Sequence, residues 1–484
     1  MVKILLLSPP REGEVSEYSS TDYTTYDFFN YPPLGLLAIA AEVDSRHAIK
    51  ILDAVTKNMS IDDVVEEIKN YNPGVLGVSI VSRRLYPAYE LFRRTKEILP
   101  ETVIIAGGPH INDFPIETMT ATSIDFAIAG YAETSFPQFI EALDKSRNSS
   151  ECFEEIPGLF YRVGEEVRQN PQSEVPLVLD ELPFPKRDLL DLSNYYTACD
   201  KRQMTTIYTS RGCPYKCTFC DVQDKTYHYR SAKSIVDEFE YILSLGIQEI
   251  HIFDDTFNMG RKRVIEMCEE ILRRGVKVSW SARVRAHPFD REMLRIMQES
   301  GCIRLQCGIE SLNEVSLKNM KKKVTLEHIE NFFEMCKEFE IETLGYFIIG
   351  FPEEGPEYRK NFFKKIKKLK PNYIQMSVLY PLPLTPFYND LLESGYYPKD
   401  YWADFFKNPS PDYNIPICRS AELQNELMGM LDDTYRRFYL DPKFILYDLM
   451  RNTSLKMLYR KTKLAVRLML ADSRSTQLKT VENS

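Results

Sequence analysis

Two stretches of this 484-residue chain show the same rhythm, in which short aliphatic runs alternate with amphipathic segments of helical period. The first occupies residues 1–145. Its apolar runs predict strands at 3–8, 48–53, 74–80, 103–106 and 126–129, and its amphipathic pieces predict helices at 34–43, 61–70, 85–99 and 135–143. Repeated strand–helix alternation makes a parallel sheet covered by helices on both faces, an α/β doubly wound, Rossmann-like domain. Ligands of such sheets bind outside the carboxyl ends of the strands. The residues there are Ser8 and Pro9, Ser79 and Ser82, Gly107, Gly108 and His110, and Glu133 in Gly130-Tyr-Ala-Glu. The Gly107-Gly108 pair either admits a bulky ligand close to the backbone or simply makes a tight turn. No GxGxxG opens the first helix, which argues against an ordinary dinucleotide site.

Residues 146–204 lose the periodicity and collect prolines, which reads as a surface linker with a small hairpin at 158–169. The alternation returns in 205–395, with strands near 205–210, 249–253, 277–282, 304–308, 342–350 and 373–379. Helices are predicted between them near 232–245, 262–274, 291–300, 326–339 and 357–369. Six strand–helix units make a partial (β/α)6 barrel, whose chemistry belongs at the strand carboxyl ends. The last region, 396–484, reads as mainly helical. Its aromatic pairs Tyr396-Tyr397, Tyr401-Trp402 and Phe405-Phe406 are expected to pack against the barrel mouth or to line a pocket there.

Composition narrows the class. Hydrophobic residues at 44% and charged residues at 27% describe a globular chain with ample core. The net charge of −9 argues against a general nucleic-acid binder. The apolar start, Met1 to Leu7, meets Ser8-Pro-Pro10 too soon for a signal peptide, so a cytoplasmic, reducing location is expected. One region departs from the average: between Arg451 and Arg467 there are six basic residues and no acid. On a helix, Leu455, Leu458, Tyr459, Val466 and Met469 share a face beside Lys456, Arg460, Lys463 and Arg467. That pattern describes either a helix lying on a membrane surface or a docked terminal helix with a solvated flank.

The candidate chemistry lies just after the first barrel strand, in Ser210-Arg-Gly-Cys-Pro-Tyr-Lys-Cys-Thr-Phe-Cys-Asp221, where Cys213, Cys217 and Cys220 fall at CxxxCxxC spacing. Structural zinc wants four ligands, usually from CxxC pairs, and no second pair or nearby histidine supplies them. A [4Fe–4S] cluster normally takes four cysteines, so a three-cysteine loop borrows a distant ligand or keeps one iron open. The other cysteines, Cys152, Cys199, Cys268, Cys302, Cys307, Cys336 and Cys418, are scattered among mostly apolar neighbours and read as reduced core residues.

With "SRGCPYKCTFC" leading a six-unit barrel and an open α/β domain carrying "GGPH" before it, the chain resembles the cobalamin-binding-domain radical S-adenosylmethionine (SAM) enzymes. That subgroup includes anaerobic magnesium-protoporphyrin cyclase and hopanoid-type enzymes. The resemblance covers about residues 1–395 and implies a [4Fe–4S] cluster on Cys213, Cys217 and Cys220 whose open iron chelates SAM. It also implies Phe219 beside the adenine, and SAM contacts from Asp254 and Asp255 in "FDDTFN", Arg283 in "SARVR", Glu310 and Ser311 in "CGIES", and Gly350 and Pro352 in "GYFIIGFP". Cobalamin is implied at Ser8, Pro9, Ser79, Ser82, Gly107, Gly108, His110 and Glu133. The cobalt-ligating DxHxxG loop is missing, as it commonly is in this family, and where relatives show Gly-Glu-Gly-Glu this chain has Gly130-Tyr-Ala-Glu133. The implied reaction is reductive cleavage of SAM to a 5′-deoxyadenosyl radical, followed by methylation of an unactivated carbon or by radical cyclisation, oxidation or carbon–carbon bond formation. The implied partners are a small-molecule, peptide or lipid substrate and an electron donor such as flavodoxin or ferredoxin.

Overall fold

The computed structural model describes residues 1–15, 29–145, 150–173, 178–197, 199–200, 202–222, 224–417 and 420–451, together with Thr462 and Val466. Cys418 and almost all of the basic stretch after Arg451 lie outside the described residues. The chain forms two compact units, one from residues 1–16, 33–194 and 399–415, the other from 17–32, 195–398 and 416–484.

The first unit is built on β1 (Lys3–Ser8), β2 (Ala48–Asp53), β3 (Val75–Ser79), β4 (Val103–Gly107) and β5 (Phe126–Ile128), all parallel. Ile4, Leu5, Leu6 and Leu7 are all buried, as a central strand covered on both faces requires. The antiparallel hairpin β6 (Leu159–Val163) and β7 (Glu166–Gln169) extends the sheet beyond β5. Sheet order is β2-β1-β3-β4-β5-β6-β7, so the order reverses between β1 and β3, and the crevice for a ligand opens at their carboxyl ends. The helix Ile61–Tyr71 shows how locally the sequence sets its ends: Ser60 and Asp63 form a reciprocal capping box, and Asn72 closes it in the left-handed conformation.

Two assignments change here. The proline-rich 146–204 region is no surface linker up to Asn194. Phe153, Ile156, Leu159 and Tyr161 are buried in the same core as Ile4, Phe136 and Phe139, and the β6–β7 hairpin is part of the sheet. Helix Tyr401–Lys407 belongs to this unit and not to the barrel mouth. The Phe406 ring lies 4.4 Å from that of Phe114 and 5.0 Å from that of His110. Aromatic composition told that the helix packs, but could not tell against what.

The second unit carries six parallel strands in sequential order: β8 (Met204–Ile207), β9 (Glu249–Ile252), β10 (Ser279–Arg285), β11 (Cys302–Glu310), β12 (Glu342–Ile349) and β13 (Tyr373–Val378). Each is followed by a helix, which gives an open half-barrel. β10 runs three residues further than its apolar run suggests, through Arg283 and on to Arg285. Below the strand ends the interior is polar. His251 approaches Asp200 at 3.0 Å, and Arg304 lies 3.4 Å from Asp200 and 3.0 Å from Glu342, all of them buried. Burial alone would raise Asp200, but His251 and Arg304 together hold its carboxyl well below the usual range. Helices Ala421–Tyr439 and Pro442–Arg451 close the described chain, and no described helix is long and apolar enough to cross a membrane.

Candidate active site

The cysteine loop leaves β8 under tight control. Asp254, two residues past β9 and fully buried, accepts hydrogen bonds from the N–H groups of Thr209 (2.7 Å) and Ser210 (3.0 Å), from the Ser210 hydroxyl (2.6 Å) and from the Thr209 hydroxyl. The Arg263 guanidinium stands 3.5 Å away. A carboxylate with that many donors has no lone pair left for a ligand. Asp254 is therefore a pin for the loop and not the SAM contact that the motif implied. Gly212 follows at φ +80°, where a Cβ would lie 1.9 Å from the Thr226 carbonyl, so only glycine fits. Its N–H donates to Asp255 (3.1 Å), and the next N–H, of Cys213, donates to the Asp224 carbonyl (3.0 Å). Thr218 clamps the far side, donating to the Met320 carbonyl and accepting from the N–H of Phe387.

Cys213 and Cys217 are buried and Cys220 is half-buried. Burial pushes the Cys220 thiol up to about 11, a penalty that binding to a metal would reverse by displacing the proton.

The remaining strand-end residues divide into those presented and those consumed. Asp255 is exposed, with one oxygen engaged by Gly212; crowding by protein raises its carboxyl, against the pull of that N–H. The Arg283 guanidinium stacks 3.4 Å above the Phe253 ring and 5.6 Å from that of Tyr31, and its Nε finds no partner in the protein. Phe219 meets Phe351 edge to face at 6.3 Å, an apolar wall beside the cysteines. Glu310, by contrast, is buried at φ +64° and paired with Lys322 at 2.6 Å. Ser311 is fully buried and donates to Glu354, whose other oxygen takes the N–H groups of Gly350 and Phe351. Ser311 thus supports the Gly350 turn from below and does not face a ligand, which corrects its assignment as a SAM contact. Gly350 holds φ +100°, and Pro352 is exposed.

Motif reading missed three groups. Arg285, next but one to Arg283 on the same strand face, reaches the Cys217 sulfur at 3.8 Å. Lys322, in the run Lys321-Lys-Lys323, is buried despite its charged neighbours. Tyr346, a hydrogen-bond partner of Arg283 and Tyr31, donates to Gln306 at 2.6 Å. Only the two-residue spacing of the arginines in "SARVR" was a signal available in advance.

In the first unit, Ser8, Ser79 and Gly107 end β1, β3 and β4, small and half-exposed along one edge. A Cβ on Gly107 would meet no protein atom nearer than the Ile128 carbonyl at 3.7 Å, so packing does not demand glycine there and a large ligand has room. Gly108 is different: at φ +93° its Cβ would strike Ser79 and Ile80 at 2.8–2.9 Å. His110 does not face that edge. It is buried, with Ser82 Oγ 2.9 Å from Nδ1 and Thr118 Oγ1 3.0 Å from Nε2. Thr118 gives its own proton to the Phe114 carbonyl, so it accepts from Nε2–H, and Ser82 donates to Nδ1. Burial lowers His110 to about 3, and it stays neutral. Its assignment as a corrin contact is thereby corrected, and Ser82 is occupied with it. Pro9 and Glu133 are buried too, Glu133 turned inward where its charge adds to the burial that raises Glu42. The other histidine of this unit, His47, accepts from the N–H of Val2, before β1 and so at the opposite edge. No imidazole of this unit reaches the β1–β3 crevice.

The sequence matches the radical SAM superfamily over residues 207–386 and the B12-binding domain over residues 24–140. An uncharacterized methyltransferase of Pyrococcus horikoshii is 30% identical over 93% of this chain and 95% of its own length. The chain belongs to the B12-binding radical SAM family. Other relatives are the anaerobic magnesium-protoporphyrin IX monomethyl ester cyclase of Rubrivivax gelatinosus and the hopanoid C-3 methylase of Methylococcus capsulatus, each 24% identical. They cover 86% and 74% of this chain and 75% and 68% of their own lengths. The fold matches that of the radical SAM methyltransferase TsrM from Kitasatospora setae with a TM-score of 0.64 at 19% identity, over 81% of this chain and 76% of that one. It also matches the cobalamin-dependent radical enzyme OxsB, solved with aqua-cobalamin and SAM bound, with a TM-score of 0.67 at 15% identity, over 97% and 72%. The protein is therefore a cobalamin-dependent radical SAM enzyme, with a [4Fe–4S] cluster, SAM and cobalamin as its cofactors.

Proposed function

We propose that this radical SAM enzyme methylates an unactivated carbon of its substrate. The observation that carries the reading is the joint presence of a three-cysteine loop in one unit and a β1–β3 switch-point crevice in the other, in a chain 30% identical over 93% of its length to an uncharacterized methyltransferase. When bound, the cluster would supply the electron that opens the SAM sulfonium, and the corrin would supply a transferable methyl group. The chain's own residues bind and orient. Cys213, Cys217 and Cys220 would hold the cluster, and Asp255 would accept from the SAM ammonium. Arg283, with an unused Nε–H, would take its carboxylate, and the Phe219–Phe351 wall would shelter the adenine. The test is anaerobic reconstitution with iron, sulfide and hydroxocobalamin, followed by mass spectrometry with methyl-deuterated SAM. A product heavier by one labelled methyl in place of hydrogen supports methylation. A product that has lost hydrogen and gained no carbon would assign chemistry of the kind named for the magnesium-protoporphyrin IX monomethyl ester cyclase instead.

The last described helix favours a peripheral contact with an anionic bilayer. Helix Pro442–Arg451 packs Phe444 and Tyr447 onto the barrel, yet leaves Ile445, Leu446, Leu449 and Met450 exposed together on its outer side. The sequence beyond it is the acid-free basic stretch, which complements anionic headgroups at about 1 kcal/mol per cation near the surface.

A further inference from the structure

Arg285 is 5% exposed, and no carboxylate pairs with it among the described residues. Its three nitrogens face different fates. Nη1 donates toward Cys217 Sγ at 3.8 Å, Nη2 donates to the Lys322 carbonyl, and Nε has no partner in the protein. The guanidinium plane lies 3.7 Å from the Tyr215 ring, inside the CxxxCxxC loop. Its backbone is fixed as well, since the Asn258 amide both accepts from the Arg285 N–H and donates to its carbonyl, each at 3.0 Å. The neighbouring buried cation, Lys322, is already matched by Glu310 at 2.6 Å. One positive charge thus remains buried against the cysteine loop with no carboxylate beside it among the described residues, an arrangement that is unfavourable in general unless a counter-charge arrives.

We propose that Arg285 is the counter-charge of the cluster and holds its reduction potential high enough to be reached by a biological one-electron donor. This rests on the cluster being held by Cys213, Cys217 and Cys220. One electron, delivered by a low-potential donor protein or by dithionite, adds one negative charge beside the guanidinium. A fixed cation stabilises that reduced state more than the oxidised one, and an N–H donated to a ligating sulfur acts in the same direction. Arg285 is in this sense a tuning residue for electron entry. Arg283, on the same strand, is left to face SAM.

The experiment is a spectroscopic redox titration, without SAM, of the full-length reconstituted protein and of its Arg285→Gln and Arg285→Lys variants. Arg285→Gln is expected to be at least tenfold harder to reduce, a downward shift of ~59 mV or more for one electron, with Arg285→Lys nearer the wild type. SAM affinity, measured by equilibrium binding, should not change between the three. SAM cleavage by Arg285→Gln should be slow with a flavodoxin-type donor and recover with a stronger reductant. Equal potentials for wild type and Arg285→Gln would overturn the proposal. So would loss of iron from both variants, which would assign Arg285 to cluster assembly. A wild-type protein that never takes up a cluster would instead overturn the assignment of the three cysteines.

Discussion

Asp254 accepts both the backbone N–H and the hydroxyl of Ser210, so the residue that launches the cysteine loop is tied twice to the end of the neighbouring strand. Together with Thr209 and Arg263, this makes Asp254 the anchor of the loop. Asp254→Ala leaves Arg263 buried without its anion and is expected to cost about 3–5 kcal/mol of stability. Urea unfolding should show that loss, and iron per chain after reconstitution should fall with it. A variant that unfolds like wild type and loads iron fully would show that the loop holds itself.

The adjacent carboxylate should behave in the opposite way. Asp255→Asn is expected to leave folding and iron content intact and to weaken SAM binding by about tenfold or more, the worth of one hydrogen bond to a charged group. The Asp255 carboxyl is raised, chiefly because surrounding protein displaces water from it although the residue stays exposed, so it protonates above the pH range of an ordinary aspartate and then no longer attracts an ammonium. The KM for SAM should therefore climb as pH falls through that raised value, while kcat changes less. In Asp255→Asn the climb should vanish. A pH profile of KM for both proteins decides it.

Gly107 and Gly108 are neighbours with different reasons for being glycine. Gly107→Ala puts its Cβ in no worse than ordinary contact, 3.7 Å from the Ile128 carbonyl, and should fold normally yet bind hydroxocobalamin more weakly, read from the visible spectrum of the retained corrinoid. Gly108→Ala forces a positive φ and a clash with Ser79 and Ile80, and should lose about 1–3 kcal/mol of stability. Equal effects of the two substitutions on folding would remove the argument that ligand space, and not packing, keeps Gly107 bare.

His110 gives the first unit a pH dependence. Its folded pKa is lowered to about 3 while the unfolded chain titrates near the ordinary 6.5. The unfolded state therefore binds the extra proton first as pH falls. Its contribution to stability is whole above pH ~6.5 and is lost at about 1.4 kcal/mol per pH unit as acidity increases toward the folded pKa. Urea titrations at pH 7.5 and 5.5 should differ by roughly 1.4 kcal/mol in the wild type, from this group alone. His110→Gln should flatten that difference.

Flotation with vesicles tests the lipid contact. The full chain should rise with vesicles rich in anionic lipid and not with neutral ones, and Leu446→Glu with Met450→Glu should abolish it. Should the double variant float like wild type, the exposed face of helix Pro442–Arg451 has no part in lipid binding.

Much of this fold was legible because burial on both faces writes itself as unbroken aliphatic runs. The predicted strands at 3–8 and 48–53 coincide with β1 and β2, and nearly every helix begins within a few residues of its predicted start. The misses share a physical reason. A run of charged or aromatic residues says that a segment is polar or packed, but its partner is set by tertiary contacts. The predicted strand stopped at residue 282, with Arg283 just beyond it as a SAM contact, whereas the strand runs on through Arg283 to the buried Arg285. Helix Tyr401–Lys407 advertised its rings without saying that His110 and Phe114 would meet them. At the strand ends, sequence placed Asp254, Asp255 and Ser311 correctly along the chain, yet only hydrogen-bond geometry separates a carboxylate already saturated by backbone N–H groups from one still able to receive a ligand.

The return of residues 399–415 to the first unit has a consequence for how the protein is made. A ribosome that has finished residue 194 has released every strand of the first sheet but not the Phe406 side chain that covers His110 and Phe114. At roughly 5–20 residues per second, more than two hundred further residues, including the whole half-barrel, are synthesised before that helix emerges. The first unit is thus completed only after all six strands of the half-barrel have been made, although its own sheet is encoded first. A message truncated between the two would yield an unfinished module with aromatic core exposed, and no free-standing corrin-binding protein.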